Sequence, residues 1–356
     1  MDFFRNLAAT ASDEYTTIAA DGVSSAEYTG LINTGCYMLN AVLSGSLFGG
    51  MANNKALGFA GETSTGKSFM ALGIVKQFLD ANPDSGVIYY DTEAAVTKDM
   101  MESRGIDPNR VIISEPQTIQ QFRHHVLNMI ENYNKFPKDK RPPMLMVLDS
   151  LGMLSSTKEI EDTMSGAETK DMTKAQVIKA TFRVIRLKLA KAGIPIIVNN
   201  HVYAAIGANV PTNIISGGSG FLYAADTIAM LTKAKDRDDN GVIGNFITVN
   251  MFKSRLSKEN SKVRLKLSYQ TGLDKYYGLL ELAEKYNVFK KVSTRYEMPD
   301  GSKVFGKTIN DNPEKYYTEE ILQKLELCAN KEFKYGVVED TEEDVVTVET
   351  TNEAQE

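Results

Sequence analysis

The octapeptide at residues 61–68 restricts the fold of this 356-residue chain more than any other stretch. It satisfies the pattern G-x-x-x-x-G-K-[ST], whose fixed positions are Gly61, Gly66, Lys67 and Ser68. An apolar run at residues 56–60 predicts a buried strand before it, and apolar periodicity at residues 69–79 predicts a helix after it. This context is typical of a phosphate-binding P-loop, because amide groups of the turn and of the helix N-terminus point into one concavity.

The motif predicts that the chain binds a nucleoside triphosphate together with Mg²⁺. Lys67 would contact the β- and γ-phosphates, and the hydroxyl of Ser68 would be a ligand of the metal. The residues expected to bind the nucleotide are Gly61, Glu62, Thr63, Ser64, Thr65, Gly66, Lys67, Ser68 and Phe69. The alternative is a connecting loop rich in glycine and serine, which the flanking strand and helix disfavour.

The composition is that of a globular protein, with 42% hydrophobic and 24% charged residues. No apolar run approaches the roughly 18 residues of a membrane span, so no membrane association is expected. The two cysteines, Cys36 and Cys328, lie far apart and outside any C-x-x-C pattern. This usage indicates a reduced, cytoplasmic setting without a disulfide framework or a zinc site.

The net charge of −6 is unevenly distributed along the chain. Residues 337–356 contain eight acidic residues and no lysine or arginine, so residues 1–336 carry a net charge of +2. A mildly basic body keeps nucleic acid open as a partner. The acidic tail has too little apolar content to pack and is expected to be disordered.

Predicted strands and helices alternate after the P-loop. Strands are expected at residues 86–93, 111–113, 144–149, 194–199, 227–232, 246–252 and 263–267, and helices at residues 118–133 and 175–189. Alternation of this kind predicts an α/β fold, a mainly parallel sheet with helices on both faces. The predicted parts are an N-terminal segment (1–45), the core (46–270), a small α+β C-terminal domain (271–336) and the acidic tail (337–356).

Acidic residues end two of the predicted strands. Asp149 follows an apolar run, which is typical of the carboxylate that holds Mg²⁺ in P-loop enzymes. Many such enzymes carry the catalytic glutamate directly after this aspartate, but here the next residue is Ser150. Glu93, at the end of the neighbouring strand, is therefore the candidate base that orients the attacking water. The alternative is that Glu93 caps a following helix.

His201 ends a predicted strand at the same edge of the sheet. It could sense the γ-phosphate through a hydrogen bond that is lost on hydrolysis and so switch the loop behind it. The alternative is an ordinary polar residue at a strand end. That loop, residues 202–216, contains no charged residue and no predicted structure, and a second polar loop spans residues 155–170. The remaining histidines, His124 and His125, are expected to be solvated on a helix.

Eight segments in a fixed order resemble the RecA family of recombinases, most closely its UvsX-type members from large tailed phages. They are Thr34-Gly35 with Leu43-Ser44-Gly45, the P-loop, Asp91-Thr92-Glu93, Gly105-Ile106-Asp107, Leu148-Asp149-Ser150, Asn200-His201, Gly217-Gly218 and Lys253-Ser254-Arg255. The resemblance covers residues 33–327, and the series is much more specific than any one motif.

The resemblance implies a DNA-dependent ATPase that forms a helical filament on single-stranded DNA. The filament would pair that strand with homologous double-stranded DNA and exchange strands in recombination, repair and recombination-dependent replication. ATP would lie between subunits, with Glu93 as the water-activating residue and His201 where bacterial members carry glutamine. Lys253 and Arg255 match cations that reach the γ-phosphate from the adjacent subunit. Without the resemblance, both would be solvated cations at a strand end.

The resemblance also assigns residues to DNA, to the base and to the subunit contact. The two loops would face DNA, and the residues implied to bind it are Lys174, Lys179, Arg183, Tyr203, Asn209, Gly217 and Gly218. Met100 stands where many members have a tyrosine that stacks on adenine. Residues 31–43 and Tyr223 would belong to the subunit contact, which makes residues 1–45 an oligomerisation segment.

Further partners follow from the same resemblance. Mediator and single-strand-binding proteins would assist assembly, and the acidic tail would restrain access to duplex DNA by competing with phosphate for the basic surface. Two other functions use the same core. A hexameric helicase would need a large N-terminal collar, for which about 45 residues before the core are too few. A non-catalytic ATP-binding filament protein or scaffold would not need the two glycine-bounded loops.

Overall fold

A computed structural model of the chain describes residues 2–11, 16–23, 25–166, 171, 173–204, 213–216, 219–239 and 241–336. The strands in these residues are β1 (Leu31–Ile32), β2 (Met51–Ala52), β3 (Ala56–Gly61), β4 (Gly86–Asp91), β5 (Val111–Ser114), β6 (Met144–Asp149), β7 (Ile196–Ala204), β8 (Asn213–Ile215), β9 (Thr227–Asp238), β10 (Gly241–Lys253), β11 (Lys262–Ser268), β12 (Gly272–Leu273), β13 (Lys290–Val292), β14 (Arg295–Glu297) and β15 (Lys303–Phe305). The α-helices are α1 (Asp2–Thr10), α2 (Tyr37–Ser44), α3 (Lys67–Ala81), α4 (Lys98–Glu102), α5 (Ile119–Asn134), α6 (Thr157–Met164), α7 (Lys174–Ala192), α8 (Ser219–Ala224), α9 (Leu279–Lys285), α10 (Gly306–Asp311), α11 (Pro313–Tyr316) and α12 (Glu319–Phe333).

One large sheet carries most of these strands. Its order is β12-β11-β10-β9-β3-β7-β6-β4-β5, and β8 pairs with the outer part of β7. The strands from β9 to β5 in this order are parallel to their neighbours, whereas β10, β11 and β12 run antiparallel. The prediction of an α/β fold with a mainly parallel sheet is therefore confirmed.

The register of the parallel strands brings their carboxyl ends to one edge. Gly61, the last residue of β3, lies opposite His201 of β7. Asp91, the last residue of β4, lies opposite Asp149 of β6. The turns that leave these strands are consequently neighbours, which is where open α/β sheets bind their ligands.

Both faces of the sheet are buried, each against its own helices. On β3, Leu57 and Phe59 enter one core, together with α2 and α3. Ala56 and Ala60 enter the other core, together with α5, α7 and α8. Successive side chains of a strand point to opposite faces, so a strand that is covered on both sides becomes apolar throughout.

Helix α5 begins where the sequence predicts it. The hydroxyl of Thr118 accepts a hydrogen bond from the amide of Gln121, and the side chain of Gln121 accepts one from the amide of Thr118. This reciprocal pair satisfies amide groups that a helix N-terminus otherwise leaves without a partner. The predicted capping box is therefore confirmed.

The two predicted loops contain regular structure. Residues 155–170 include α6, which begins with a capping box between Ser156 and Glu159. Strand β7 continues past His201 to Ala204 and pairs with β8 as an antiparallel hairpin. The prediction of a structureless segment from residue 202 to 216 is thus wrong at both ends, because an uncharged, β-branched sequence can pair with itself.

Helix α2 is a core helix, although residues 31–43 were expected to lie at a subunit contact. Its buried residues are Met38, Leu39, Asn40, Ala41, Val42, Leu43 and Ser44. The polar member Asn40 is satisfied inside the chain, since its amide nitrogen donates to Asn33 and to the carbonyl of Leu47. These side chains pack inside the chain, whereas residues 31–43 as part of a subunit contact and residues 1–45 as an oligomerisation segment remain predictions.

The C-terminal part combines a small antiparallel sheet, β13-β14-β15, with helices α9 to α12. Its apolar side chains join the same core as α2, with Leu279, Phe289 and Phe333 among its buried members. A continuous apolar core ties this part to the large sheet. The domain boundaries predicted from the sequence remain a prediction.

Several predictions fall on residues outside the described ranges. They concern Asn209, Gly217, Gly218 and the tail at residues 337–356. Within the described part of the chain, no helix is long and apolar enough to span a bilayer.

Candidate functional site

The P-loop connects β3 to α3 through backbone that requires glycine. Gly66 adopts φ +89°, and a Cβ there would come within 2.9 Å of Cδ1 of Ile247. A Cβ on Gly61 would come within 2.7 Å of the carbonyl oxygen of Leu231. The glycines of the motif therefore allow the loop to close tightly against β9 and β10.

Lys67 is buried at the start of α3. Its Nζ donates to the carbonyl oxygens of Gly61 at 2.9 Å and Glu62 at 2.8 Å. Burial lowers the pKa of Lys67, and the nearby carboxylates of Glu93 and Asp149 act in the opposite direction. The structure thus brings the predicted lysine close enough to both predicted acids for their charges to interact.

The outer part of the loop is held from two sides. The hydroxyl of Thr65 donates to the carbonyl oxygen of Glu62 at 2.9 Å, and Nζ of Lys233 on β9 donates to that of Thr63 at 3.1 Å. Ser64 adopts the left-handed conformation, with φ +61°. Lys233 was not predicted, because only the three-dimensional pairing of β9 with β3 places it beside the loop.

Asp149 is buried at the end of β6, and its Oδ2 accepts a hydrogen bond of 2.7 Å from the hydroxyl of Tyr89. Burial and the adjacent carboxylate raise the pKa of Tyr89 well above its usual 10.0. The described residues contain no cluster of three or more histidine, cysteine or acidic side chains suited to a metal. Mg²⁺ needs no such cluster, since one carboxylate, a hydroxyl and substrate phosphates suffice, and Asp149 with Ser68 fits that donor set.

Glu93 is held by two side chains, one from the residue after β6 and one from β7. The hydroxyl of Ser150 donates to its Oε1 at 2.6 Å, and Nε2 of His201 lies 2.8 Å from the same oxygen. Burial by itself raises the pKa of Glu93, but these two hydrogen bonds and the positive charges nearby outweigh it, so the pKa lies below its usual 4.5. The carboxylate is therefore fixed in place and ionised, as a residue that orients water must be.

The turn that carries Glu93 is organised by Asp91. Its carboxylate accepts hydrogen bonds from the amides of Glu93, Ala95 and Val96 at 3.0, 2.9 and 2.8 Å. The following helix, α4, is capped by Thr97. The alternative that Glu93 caps this helix is therefore wrong.

Ser150 contacts Glu93 directly, whereas the sequence alone shows it only as a residue other than glutamate after Asp149. Its amide donates to the hydroxyl of Thr92 at 2.8 Å, and that hydroxyl donates to the carbonyl oxygen of Ser150 at 2.8 Å. These bonds lock the ends of β4 and β6 together. The sequence signal was present in Asp91-Thr92-Glu93 and Asp149-Ser150, but their pairing required the strand order.

His201 links this network to the hairpin of β7 and β8. Its carbonyl oxygen accepts from the amide of Ser216 at 2.8 Å, and the side chain of Asn200 donates to the carbonyl oxygen of Ser216 at 2.8 Å. Both ends of the segment 202–216 are thus anchored beside the residue that contacts Glu93. This arrangement can transmit a change at Glu93 to the hairpin.

Lys253 and Arg255 lie toward the opposite end of the strands, near the amino ends of β3 and β9. Lys253 pairs with Ile228 at the start of β9, whereas the end of β3 at Gly61 is level with Leu231. Leu231 lies three residues further along β9 than Ile228, and a bulge between Met251 and Lys253 absorbs one residue of β10, so Lys253 lies about 10 Å from the level of Gly61, away from the P-loop. The structure does not bring these two cations together with Glu93 within one chain.

Both cations have partners in their own chain. Nζ of Lys253 donates to the carbonyl oxygens of Leu222 and Tyr223 at 2.7 and 3.2 Å. Arg255 lies 3.2 Å from Oδ1 of Asp226. Burial lowers the pKa of Lys253, and the charge of Arg255 acts in the same direction.

Of the residues predicted to bind DNA, those that the structure describes lie on α7 and on the hairpin. Lys179 and Arg183 are exposed, whereas Lys174 forms an ion pair of 3.1 Å with Glu159 of α6. Tyr203 on β7 is 54% exposed and pairs with Ile214 of β8, which is also exposed. The described residues thus present cations and an aromatic ring on neighbouring elements.

Two further predictions concern a base and a histidine. The carbonyl oxygen of Met100 accepts a hydrogen bond of 3.0 Å from Arg104, whose guanidinium lies 4.9 Å from the ring centroid of Phe69. Met100 and Phe69 are therefore connected through Arg104. His125 is not merely solvated, since its Nδ1 lies 3.0 Å from the hydroxyl of Tyr90, and burial lowers its pKa.

Comparison with known proteins identifies the family. A family model described as the RecA N-terminal domain matches residues 16–274. A recombination and repair protein of Enterobacteria phage T4 is 32% identical over 253 residues, covering 71% of this chain and 63% of that protein. Protein RecA of Malacoplasma penetrans is 23% identical over 246 residues, covering 68% of this chain and 71% of that protein.

A crystal structure of the RadB recombinase overlaps with a TM-score of 0.49 and 20% identity, covering 68% of this chain and 98% of that one. The matched portion spans less than two thirds of the phage T4 protein's own length. The family model, by contrast, covers most of this chain, including the P-loop, Glu93, Asp149, His201 and Arg255. The chain belongs to the RecA family.

Proposed function

We propose that this chain hydrolyses ATP at the contact between neighbouring copies of itself in a helical filament on single-stranded DNA. The filament pairs the bound strand with homologous double-stranded DNA and exchanges strands in recombination and repair. Family membership supports this proposal, as do the names of the relatives, a recombination and repair protein and RecA. DNA, further copies of the chain, and mediator and single-strand-binding proteins are its proposed partners, and the cytoplasm is its proposed location.

The observation that carries the proposal is the division of charged groups between opposite edges of the sheet. The P-loop, Glu93 and Asp149 lie at the carboxyl edge, and Lys253 and Arg255 lie at the other. One chain cannot place these cations on its own nucleotide. A head-to-tail contact joins one edge of a copy to the other edge of the next, and repetition without closure gives a helix.

Each residue of the site has a proposed role in hydrolysis. Glu93 orients the attacking water, and Lys67 neutralises charge on the β- and γ-phosphates. Mg²⁺, held by Ser68 and Asp149, would neutralise further phosphate charge. Arg255 and Lys253 of the adjacent copy stabilise charge on the γ-phosphate, and Met100 with Phe69 flanks the base.

Coupling to DNA is proposed to run through His201. Its side chain contacts Glu93, and its backbone anchors the hairpin that carries Tyr203. A base stacked on Tyr203 and phosphates bound by Lys179 and Arg183 would bias the hairpin and thereby Glu93. The exposed apolar residues Phe3, Phe4 and Leu7 of α1 support residues 1–45 as the segment that contacts the next copy.

A strand-exchange assay combined with negative-stain imaging tests the proposal. Wild-type protein with ATP should form helical filaments on single-stranded DNA and transfer that strand into a homologous duplex. Glu93→Gln should assemble the same filaments and fail to hydrolyse ATP, because only the base is removed. Closed rings would indicate a hexameric helicase, and filaments without exchange would indicate a scaffold; either result would contradict the proposal.

A further inference from the structure

Asp226 is a buried carboxylate that joins three separate elements. It lies between α8 and β9, and its side chain is 0% exposed. Its Oδ1 accepts from Arg186 of α7 at 2.6 Å and from Arg255 at 3.2 Å, and its Oδ2 accepts from the amide of Ala56 at 2.9 Å. One side chain therefore connects the helix that carries Lys179, the first residue of β3 and the arginine two residues after β10.

The two guanidinium groups on Oδ1 differ in their freedom. The side chain of Arg186 is 19% exposed and makes the shorter contact, whereas that of Arg255 is 59% exposed and makes the longer one. Arg186 and the amide of Ala56 consequently anchor the carboxylate. Arg255 is held only through Nη1 of its guanidinium, and 59% of its side chain remains exposed.

The surroundings of Asp226 carry excess positive charge. Four cations interact electrostatically with one another or with this carboxylate: Lys55, Arg186, Lys253 and Arg255. One further acid, Glu259, lies near Lys253. Lys55, Arg186 and Arg255 line a cavity of about 580 Å³ that Tyr28 and Tyr223 also border. A cavity with three cationic walls and one neutralising carboxylate suits a multiply charged anion.

We propose that Asp226 is a positioning residue that aims Arg255 at the γ-phosphate bound by the neighbouring copy. An arginine at a strand end samples many rotamers, and a cation contributes most to catalysis when its position is set beforehand. The contact between Nη1 and Oδ1 restricts those rotamers, while more than half of the Arg255 side chain stays exposed to a neighbouring copy. This inference rests on the proposed function, because only a neighbouring copy can bring a phosphate to Arg255.

The test uses filaments assembled from two full-length variants. Lys67→Ala retains Arg255 but loses its own nucleotide turnover, and Arg255→Gln retains the P-loop but loses the cation. Each alone should be inactive on single-stranded DNA. An equal mixture should recover about a quarter of the wild-type rate, because a quarter of random head-to-tail contacts pair an intact P-loop with an intact Arg255.

Asp226→Asn is then introduced into one member of the mixture at a time. Asparagine keeps an oxygen that can accept from Ala56 but lacks the charge that orients Arg255. In the Lys67→Ala chain, which donates Arg255, the recovered rate should fall roughly tenfold with an unchanged KM for ATP. In the Arg255→Gln chain, which supplies the P-loop, the recovered rate should change by less than about twofold.

The outcomes separate the inference from the function on which it rests. Equal losses from both chains would show that Asp226 supports β3 or the fold, and no loss from either would show that Arg255 needs no positioning; each overturns the inference. Failure of the original mixture to recover activity would contradict the interface itself. As a control, Asp236→Asn removes another buried carboxylate, paired with Lys266, and should leave recovery unchanged.

A second variant keeps the test decisive if Asp226→Asn fails to fold, as judged by its thermal melting. Arg186→Gln removes the stronger anchor of Oδ1 and leaves the carboxylate in place. Its effect on recovery should again be confined to the chain that donates Arg255. A loss from the chain that supplies the P-loop would contradict the inference.

Discussion

Glu93 and His201 are joined by a hydrogen bond of 2.8 Å between Oε1 and Nε2, across strands that are not neighbours in the sheet. The bond connects the carboxylate beside the P-loop with the strand that continues into the hairpin. It is supported by Ser150, whose hydroxyl donates to the same oxygen. Three side chains, from the residue after β6, from β7 and from the turn after β4, thus form one polar network.

Removal of the histidine should uncouple hydrolysis from DNA. We expect His201→Ala to reduce the ratio of ATPase rates with and without single-stranded DNA to near one, because Glu93 loses its contact with the hairpin strand. His201→Gln should retain more of that ratio, since an amide can donate to the carboxylate. His124→Ala, on the exposed face of α5, serves as the control. Equal ratios for wild type and His201→Ala would contradict this role.

Removal of the Ser150 hydroxyl should slow turnover without weakening substrate binding. A hydrogen bond to a charged group contributes enough that Ser150→Ala should lower kcat about tenfold at an unchanged KM. The steady-state rate as a function of ATP concentration measures both quantities. Ser302→Ala, which removes a hydroxyl bonded to the exposed Asp300, should change neither. A rise in KM alone would show that Ser150 acts on binding.

Helix α2 should contribute to the stability of a single chain. Leu39 is fully buried, so Leu39→Ala should lower the free energy of unfolding by about 3 kcal/mol. Urea denaturation at two protein concentrations measures this loss and shows whether it depends on association. Leu327→Ala on the exposed face of α12 is the matched control. A small loss that grows with protein concentration would place α2 at a subunit contact after all.

The thiol of Cys36 should resist alkylation. Burial raises its pKa to about 12 from the usual 9.0, so the folded chain holds a proton that the unfolded chain releases. The resulting stability is present below pH 9 and is lost as the pH rises from 9 toward 12. In a Cys328→Ala background, iodoacetamide at pH 9 should label the urea-unfolded chain rapidly and the native chain slowly. Equal labelling rates would show that Cys36 is accessible.

Much of the site is readable from local patterns. The P-loop and the Asp149 strand are contiguous segments whose spacing predicts both their structure and their position at the sheet edge. Glu93 followed from the presence of Ser150 where a glutamate is common. Each of these inferences needs only the chemistry of a few adjacent residues and the rule that parallel strands end at one edge.

The remaining features depend on contacts between distant segments. Ser150 and Glu93 are 57 residues apart, and Asp226 and Ala56 are 170 apart. The helical spacing of apolar residues in α2 is visible in the sequence. The burial of its polar residue Asn40, by contrast, depends on hydrogen bonds to Asn33 and to the carbonyl of Leu47. The hairpin of β7 and β8 was missed because a segment without charge or periodicity reads as a loop until its two ends pair.

The central claim is that the chain is an ATPase whose turnover depends on single-stranded DNA. The most direct measurement is the rate of ATP hydrolysis by the full chain with and without single-stranded DNA, with Lys67→Ala as the inactive reference. We predict that DNA raises the wild-type rate by about tenfold or more, a change in barrier of about 1.4 kcal/mol, and leaves Lys67→Ala without activity. Equal wild-type rates with and without DNA would contradict the account.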